Sequence, residues 1–117
     1  MSGQVQVIGT LKCKDTQKVL RFFKERSIQA HFLDLNQKGI SKGELNNISR
    51  SIPLENLIDK ESKEFKSKNM QYMVYDIAEA LLENSLLLIT PITRYGNKAV
   101  AGFDSAKLNS IAKDIKQ

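Results

Sequence analysis

The segment Val5-Gln6-Val7-Ile8-Gly9-Thr10-Leu11-Lys12-Cys13-Lys14-Asp15-Thr16-Gln17-Lys18-Val19-Leu20 constrains this chain more than any other. Val5 and Val7 fall on one side of an extended run, and Gln6 and Ile8 on the other. That is the pattern of a short strand buried on at least one face. From Lys14 to Arg26 the period changes. Val19, Leu20, Phe22 and Phe23 form an apolar stripe, with Lys18, Arg21, Lys24, Glu25 and Arg26 mostly outside it, which predicts a helix. Ile28 to Leu35 predicts a second strand, with Ile28, Ala30, Phe32 and Asp34 sharing a face. Strand, helix and strand at this spacing make a βαβ unit with parallel strands.

Cys13, the only cysteine, falls at the turn from strand to helix. Free cysteines are often buried and inert. A helix start, however, presents N–H groups that favour a thiolate, the reactive form of the side chain. Lys12, Lys14 and Lys18 add positive charge, which Asp15, a candidate helix cap, opposes in part. The expectation is a reactive thiol with a pKa below the ordinary value of about 8.5. With no second cysteine there is no internal disulfide. A redox cycle must borrow a thiol from outside, such as glutathione or a protein partner.

The middle of the chain reads as helical. Gln37-Lys38-Gly39-Ile40 is a loop, and Ser41-Lys42-Gly43-Glu44 fits a capping box that opens a helix to Ser49, burying Leu45 and Ile48. Pro53 suits the first turn of another helix, with Leu54, Leu57 and Ile58 inward. Asp59 to Lys66 is a charged segment. Tyr72 to Asn84 predicts a strong helix with Ile77, Ala78, Leu81 and Leu82 inward. Leu86 to Ile92 predicts a strand interrupted by Pro91, a residue excluded from the middle of a regular ladder and here expected in the cis form. Tyr95-Gly96-Asn97-Lys98 predicts the turn of a hairpin spanning Ile92 to Phe103. Asp104 or Ser105 caps a last helix burying Leu108, Ile111, Ala112 and Ile115.

Composition closes several routes. The net charge of +5 is spread along the chain, with no Trp and no Tyr interleaved with basic runs, so a solvated surface is expected and direct nucleic-acid binding is not. One Cys and one His cannot make a zinc site, and no metal is expected. There is no phosphate-binding glycine loop. The start, Met1-Ser2-Gly3-Gln4, lacks the features of a signal peptide, and the longest apolar run, Leu86 to Ile89, is too short to span a bilayer. A cytoplasmic monomer without membrane contact or bound cofactor is expected. Its 117 residues form one domain, with a helical insert at about 41–84.

The order β-α-β, helical insert, β-β-α is an α/β, thioredoxin-like layout with a mixed four-stranded sheet. Here the chain resembles the ArsC family, which includes glutathione-linked arsenate reductases and Spx-type transcription regulators. Four pieces carry the resemblance across nearly the whole chain. Cys13-Lys14-Asp15-Thr16-Gln17-Lys18 is similar to the family's Cys-x-x-(Cys/Ser/Thr)-x-Lys turn. Leu57 to Phe65, with Ser62-Lys63-Glu64-Phe65, is similar to the insert motif in its Spx form. Leu88-Ile89-Thr90-Pro91-Ile92 is similar to the Arg-Pro-Ile strand. Gly102-Phe103-Asp104 is similar to the opening of the last helix.

The resemblance implies a catalytic Cys13, with Thr16 at the place of the resolving cysteine and Lys18 beside it. Lys12, Lys14, Lys60, Thr90, Pro91 and Arg94 become candidate substrate-binding residues. It implies glutathione, or a glutaredoxin- or thioredoxin-type protein, as the external reductant. It also implies an alternative, an Spx-like adaptor that binds RNA polymerase through the C-terminal domain of its alpha chain. His31, in the second strand, has nothing that places it beside Cys13. The family's arginines are replaced: Thr90 stands before the proline, Asp59 or Glu61 stands in the insert, and no Arg follows Arg94. An arsenate oxyanion needs fixed cationic donors. The resemblance with these departures implies a monothiol thiol-disulfide or arsenate-reductase-like oxidoreductase, with efficient arsenate reduction not expected.

Overall fold

Strand β1 (Val5–Gly9) is the axis of the protein in the computed structural model, which describes residues 4–116. Its central position follows from its burial: Val5, Val7 and Ile8 are all inside, with apolar side chains on both faces of the sheet. Helix α1 (Lys14–Glu25) then returns the chain to β2 (Ala30–Asp34), which pairs with β1 in parallel from Val5 against Ala30 to Gly9 against Asp34. Strand β3 (Ile92–Tyr95) pairs antiparallel with the other edge of β1. Strand β4 (Lys98–Ala101) pairs antiparallel with β3, giving the order β2-β1-β3-β4. This is a mixed, thioredoxin-like α/β sheet, as the pattern of the sequence predicts.

The two faces of the sheet are covered by different parts of the chain. Val5, Val7, Val100, Phe23 of α1 and Leu108 of α5 (Ser105–Lys116) pack on one face. Ile8, Leu33 and Ile92 pack on the other, against the helical segment between β2 and β3. That segment holds α2 (Lys42–Ser49), α3 (Lys63–Ser67) and α4 (Ile77–Glu83). The capping box of α2 forms as its sequence predicts. Glu44 N–H donates to Ser41 Oγ at 3.1 Å, and Ser41 N–H donates to Glu44 Oε1 at 2.9 Å. A buried serine closes the segment onto the sheet: Ser85 Oγ accepts from Ile40 N–H at 2.8 Å and donates to the Leu81 carbonyl at 3.0 Å.

Several element boundaries differ from the sequence expectation, each for a local reason. The second strand is shorter than Ile28–Leu35, because Ser27 takes a positive φ of 58° and Ile28 N–H turns back to the Phe23 carbonyl. Pro53 introduces only the 3-10 turn Leu54–Asn56, not a helix. The charged segment contains α3, because Ser62 Oγ caps Phe65 N–H at 3.1 Å and Phe65 anchors the turn in the core. The helix expected from Tyr72 starts only at Ile77, where Asp76 Oδ1 accepts from Glu79 N–H at 2.9 Å. Leu86 to Ile92 is not a continuous strand. Asn84 caps the 3-10 turn Ser85–Leu87, Leu88 makes a single bridge to Ile58, and the ladder begins only after Pro91, which has no N–H to give it. The sequence reading of the N-terminus rests on residues 1–3, outside the described residues. Among the described residues no helix is long and apolar enough to cross a membrane.

Candidate functional site: the Cys13 turn

The turn after β1 delivers Cys13 to the N-cap position of α1, with φ −75° and ψ 119°. Its N–H donates to the Thr10 carbonyl at 3.1 Å, and its own carbonyl accepts from Gln17 N–H at 3.1 Å. These two bonds fix the backbone and leave the side chain aimed across the turn. The thiol is half-buried, and its Sγ lies 3.8 Å from the Thr90 carbonyl, to which it donates. The Thr90–Pro91 peptide is cis, as expected for this proline. The Pro91 carbonyl in turn accepts from Gly102 N–H at 2.8 Å, where a φ of 74° favours glycine. One chain of backbone contacts thus links the thiol, the proline turn and the opening of α5.

Burial pushes the Cys13 thiol pKa up, but hydrogen bonding to the sulfur outweighs it, and the net value lies below that of an ordinary thiol. The side chains of Thr16 and Thr90 and the backbone N–H groups of Thr16 and Asp15 supply that bonding. The sulfur makes no helix-cap bond of full geometry, and the Thr16 hydroxyl has no well-formed partner. The direction of the pKa follows from what each form of the sulfur can accept. A neutral thiol is a poor acceptor, whereas a thiolate in the same place draws both amide and hydroxyl donors. Thr16 is fully buried, so its hydroxyl has no water to turn to. It lies over Gly9, where a methyl group would come within 2.5 Å of Oγ1.

The structure places the other candidate residues as follows. Thr16, Thr90 and Pro91 gather around Cys13. Lys12 lines a groove of about 260 Å³ together with Thr10, Asn36, Ser62 and Thr90; Cys13 does not line it, and Thr90, whose carbonyl meets the thiol, is what the two share. Lys14 is exposed on the first turn of α1. Lys18 is exposed and leans toward Asp15 at 3.9 Å and the Phe103 ring at 6.0 Å, and no lysine is among the causes of the lowered pKa. Lys60 sits on an exposed turn and does not line the groove. Lys63 does; the sequence reading places it in the Ser62-Lys63-Glu64-Phe65 motif but not among the substrate-binding candidates.

Arg94 is not at the thiol. Its guanidinium donates to Gln6 Oε1 at 2.6 Å and Asn47 Oδ1 at 3.2 Å, and it lies 3.8 Å from Glu44. Because β3 alternates its faces, Arg94 points into the junction of sheet and α2 and is spent there. The groove at Thr90 is lined by Lys12 and Lys63, but also by Asp59 and Glu64, so its charge is balanced. Glu64 is oriented by Asn84, whose Nδ2 donates to it at 2.8 Å. His31 is exposed on β2, and no group of metal-ligating side chains is found among the described residues.

No family model matches the sequence, and no curated protein does. Solved structures match it over nearly its whole length. An ArsC family related protein from Bacteroides fragilis superposes with a TM-score of 0.82 at 14% identity, covering 95% of this chain and 99% of that one. An arsenate reductase from Vibrio cholerae gives 0.75 at 13% identity, covering 97% and 98%. An arsenate reductase related protein from Brucella melitensis gives 0.66 at 19% identity, covering 94% and 95%. The chain has the fold of ArsC-family arsenate reductases and their relatives.

Proposed function

We propose that this protein is a monothiol oxidoreductase that acts through Cys13 and is recycled by an external thiol, glutathione or a glutaredoxin- or thioredoxin-type protein. One observation carries the reading: the only cysteine caps α1 beside a cis-proline turn, among donors that stabilise its thiolate. The Cys13 thiolate attacks one sulfur of a disulfide R–S–S–R′. A new S–S bond forms between Cys13 Sγ and the sulfur of R, the old S–S bond breaks, and R′–S⁻ leaves. A second thiolate from outside then attacks the mixed disulfide and returns Cys13 as thiolate. The external thiol ends in a disulfide with the R–S group, and R′–S⁻ is the reduced product.

The charges near the Thr90 turn favour a disulfide substrate over arsenate. Two lysines face two carboxylates there, and Arg94 is held away by Glu44. A multiply charged oxyanion would meet Asp59 and Glu64 with no bidentate donor to offset them. The adaptor reading draws on the lost arginines and on Ser62 to Phe65, of which Ser62 has packing work as a cap and Phe65 as a core anchor.

Treatment with oxidised glutathione followed by intact-mass measurement tests the proposal. The expected product is a single glutathionyl adduct at Cys13 that reduced glutathione or glutaredoxin removes. An unmodified chain under excess oxidised glutathione would refute it.

A further inference from the structure

The helical insert displays an apolar segment that its own packing does not use. Tyr72 is 84% exposed, Met73 54% and Val74 103%. They follow one another from Tyr72, the last residue of the 3-10 turn Met70–Tyr72, toward α4, with Met73 extended. Single exposed apolar side chains are ordinary on a protein surface, but three in a row form a patch. Met73 and Val74 also form one wall of a groove of about 520 Å³, floored by the buried Met70 and Leu87.

Acidic side chains also line this groove. Asp76, Glu79 and Glu83 line it against a single amine, Lys68. Glu79 and Glu83 stand four residues apart on α4, so they share a face and repel one another. Neither is in an ion pair among the described residues. The chain as a whole carries +5, so this negative lining runs against the charge of the rest of the molecule. Different residues line the groove at Thr90, so the two sites are separate.

We infer that this groove docks a cationic amphipathic segment of a partner protein, with an apolar anchor seated against Met73 and Val74 and flanking Lys or Arg side chains on Glu79 and Glu83. Apolar seat and charged lining are the two elements of helix-in-groove recognition. The net charge of +5 disfavours such a segment on the molecule as a whole, so the acidic side chains of this groove give it selectivity.

Two labelled amphipathic peptides of the same pattern, one built from Leu and Lys and the other from Leu and Glu, test the inference by anisotropy and by amide shifts in NMR. The Leu/Lys peptide is expected to shift amides from Met73 to Glu83, to weaken as salt is raised, and to lose about tenfold in affinity in each of Val74→Asp and the double variant E79K/E83K. The Leu/Glu peptide is expected not to bind. All three substituted side chains are exposed, so the variants should fold, and their circular dichroism checks that. Equal affinity of the variants, or shifts that map away from the groove, would overturn the inference. So would sedimentation of the wild type as a dimer that Val74→Asp dissolves, since the occupant would then be a second copy of the chain.

Discussion

Gly9 and Thr16 meet across the turn between β1 and α1, and the absence of a side chain at Gly9 is what leaves room for the buried Thr16 side chain beside the Cys13 turn. A methyl group at Gly9 would lie 2.5 Å from Thr16 Oγ1 and 3.0 Å from its Cγ2. Thr16 is fully buried and cannot move outward without moving the helix. Gly9→Ala is therefore expected to cost about 1–3 kcal/mol through overpacking and to raise the Cys13 pKa as Thr16 is displaced. Chemical denaturation measures the first effect and the pH dependence of alkylation the second.

Thr16→Val separates the two roles of that threonine. The substitution keeps the shape and removes the hydroxyl, which has no well-formed partner while the thiol is neutral. Stability at a pH below the thiol pKa should hold or rise by about 1 kcal/mol, because an unpaired buried hydroxyl is removed. The Cys13 pKa should rise, because a donor to the thiolate is lost. Thr16→Ser should retain the low pKa. A valine variant with an unchanged thiol pKa would remove Thr16 from the site.

Thr93 offers a similar substitution far from any chemistry. It lies fully buried on β3 opposite Val7, and its hydroxyl has no partner. Thr93→Val should stabilise the protein by about 1 kcal/mol, seen as a higher denaturant midpoint with an unchanged slope. Alkylation of Cys13 should proceed at the wild-type rate.

Glu44 gives the protein a pH-dependent joint between sheet and insert. Burial pushes its carboxyl pKa up, but the Ser41 N–H, the Gln6 and Ser41 side chains and the Arg94 charge outweigh that and hold it below the usual carboxylate value. A carboxyl with a lowered folded pKa stabilises the protein above its unfolded pKa, and the stabilisation is lost as pH falls through the folded value. Glu44→Gln keeps a capping-box side chain but loses the charge. The wild type should lose part of its thermal stability below about pH 4, and the variant should lose less over that range. Arg94→Met should lower stability by about 1–3 kcal/mol without changing Cys13 reactivity.

The sheet and the position of the thiol were legible in the sequence because they depend on strong local patterns. The alternation of β1, the apolar stripe of α1 and the Ser41–Glu44 box each specify one outcome. The insert was less legible because its elements are short and set by single side chains. Asp76 caps α4 and so cuts the predicted helix at its fifth residue, and Asn84 turns a predicted strand into a 3-10 turn. The site residues divide in the same way. Cys13, Thr16, Thr90 and Pro91 come together because their separations are fixed by β1, α1 and β3. The role of Arg94 depended on partners far away in sequence, Gln6 and Glu44, which no local pattern reveals.

The pH dependence of Cys13 alkylation by iodoacetamide, in the native chain and in the urea-unfolded chain, tests the central claim most directly. The account predicts that the native inflection lies below the unfolded one, because the helix start and the two threonines hold the thiolate in the fold. A native inflection at or above the unfolded value would show that burial governs this thiol, and Cys13 would then be an inert core residue.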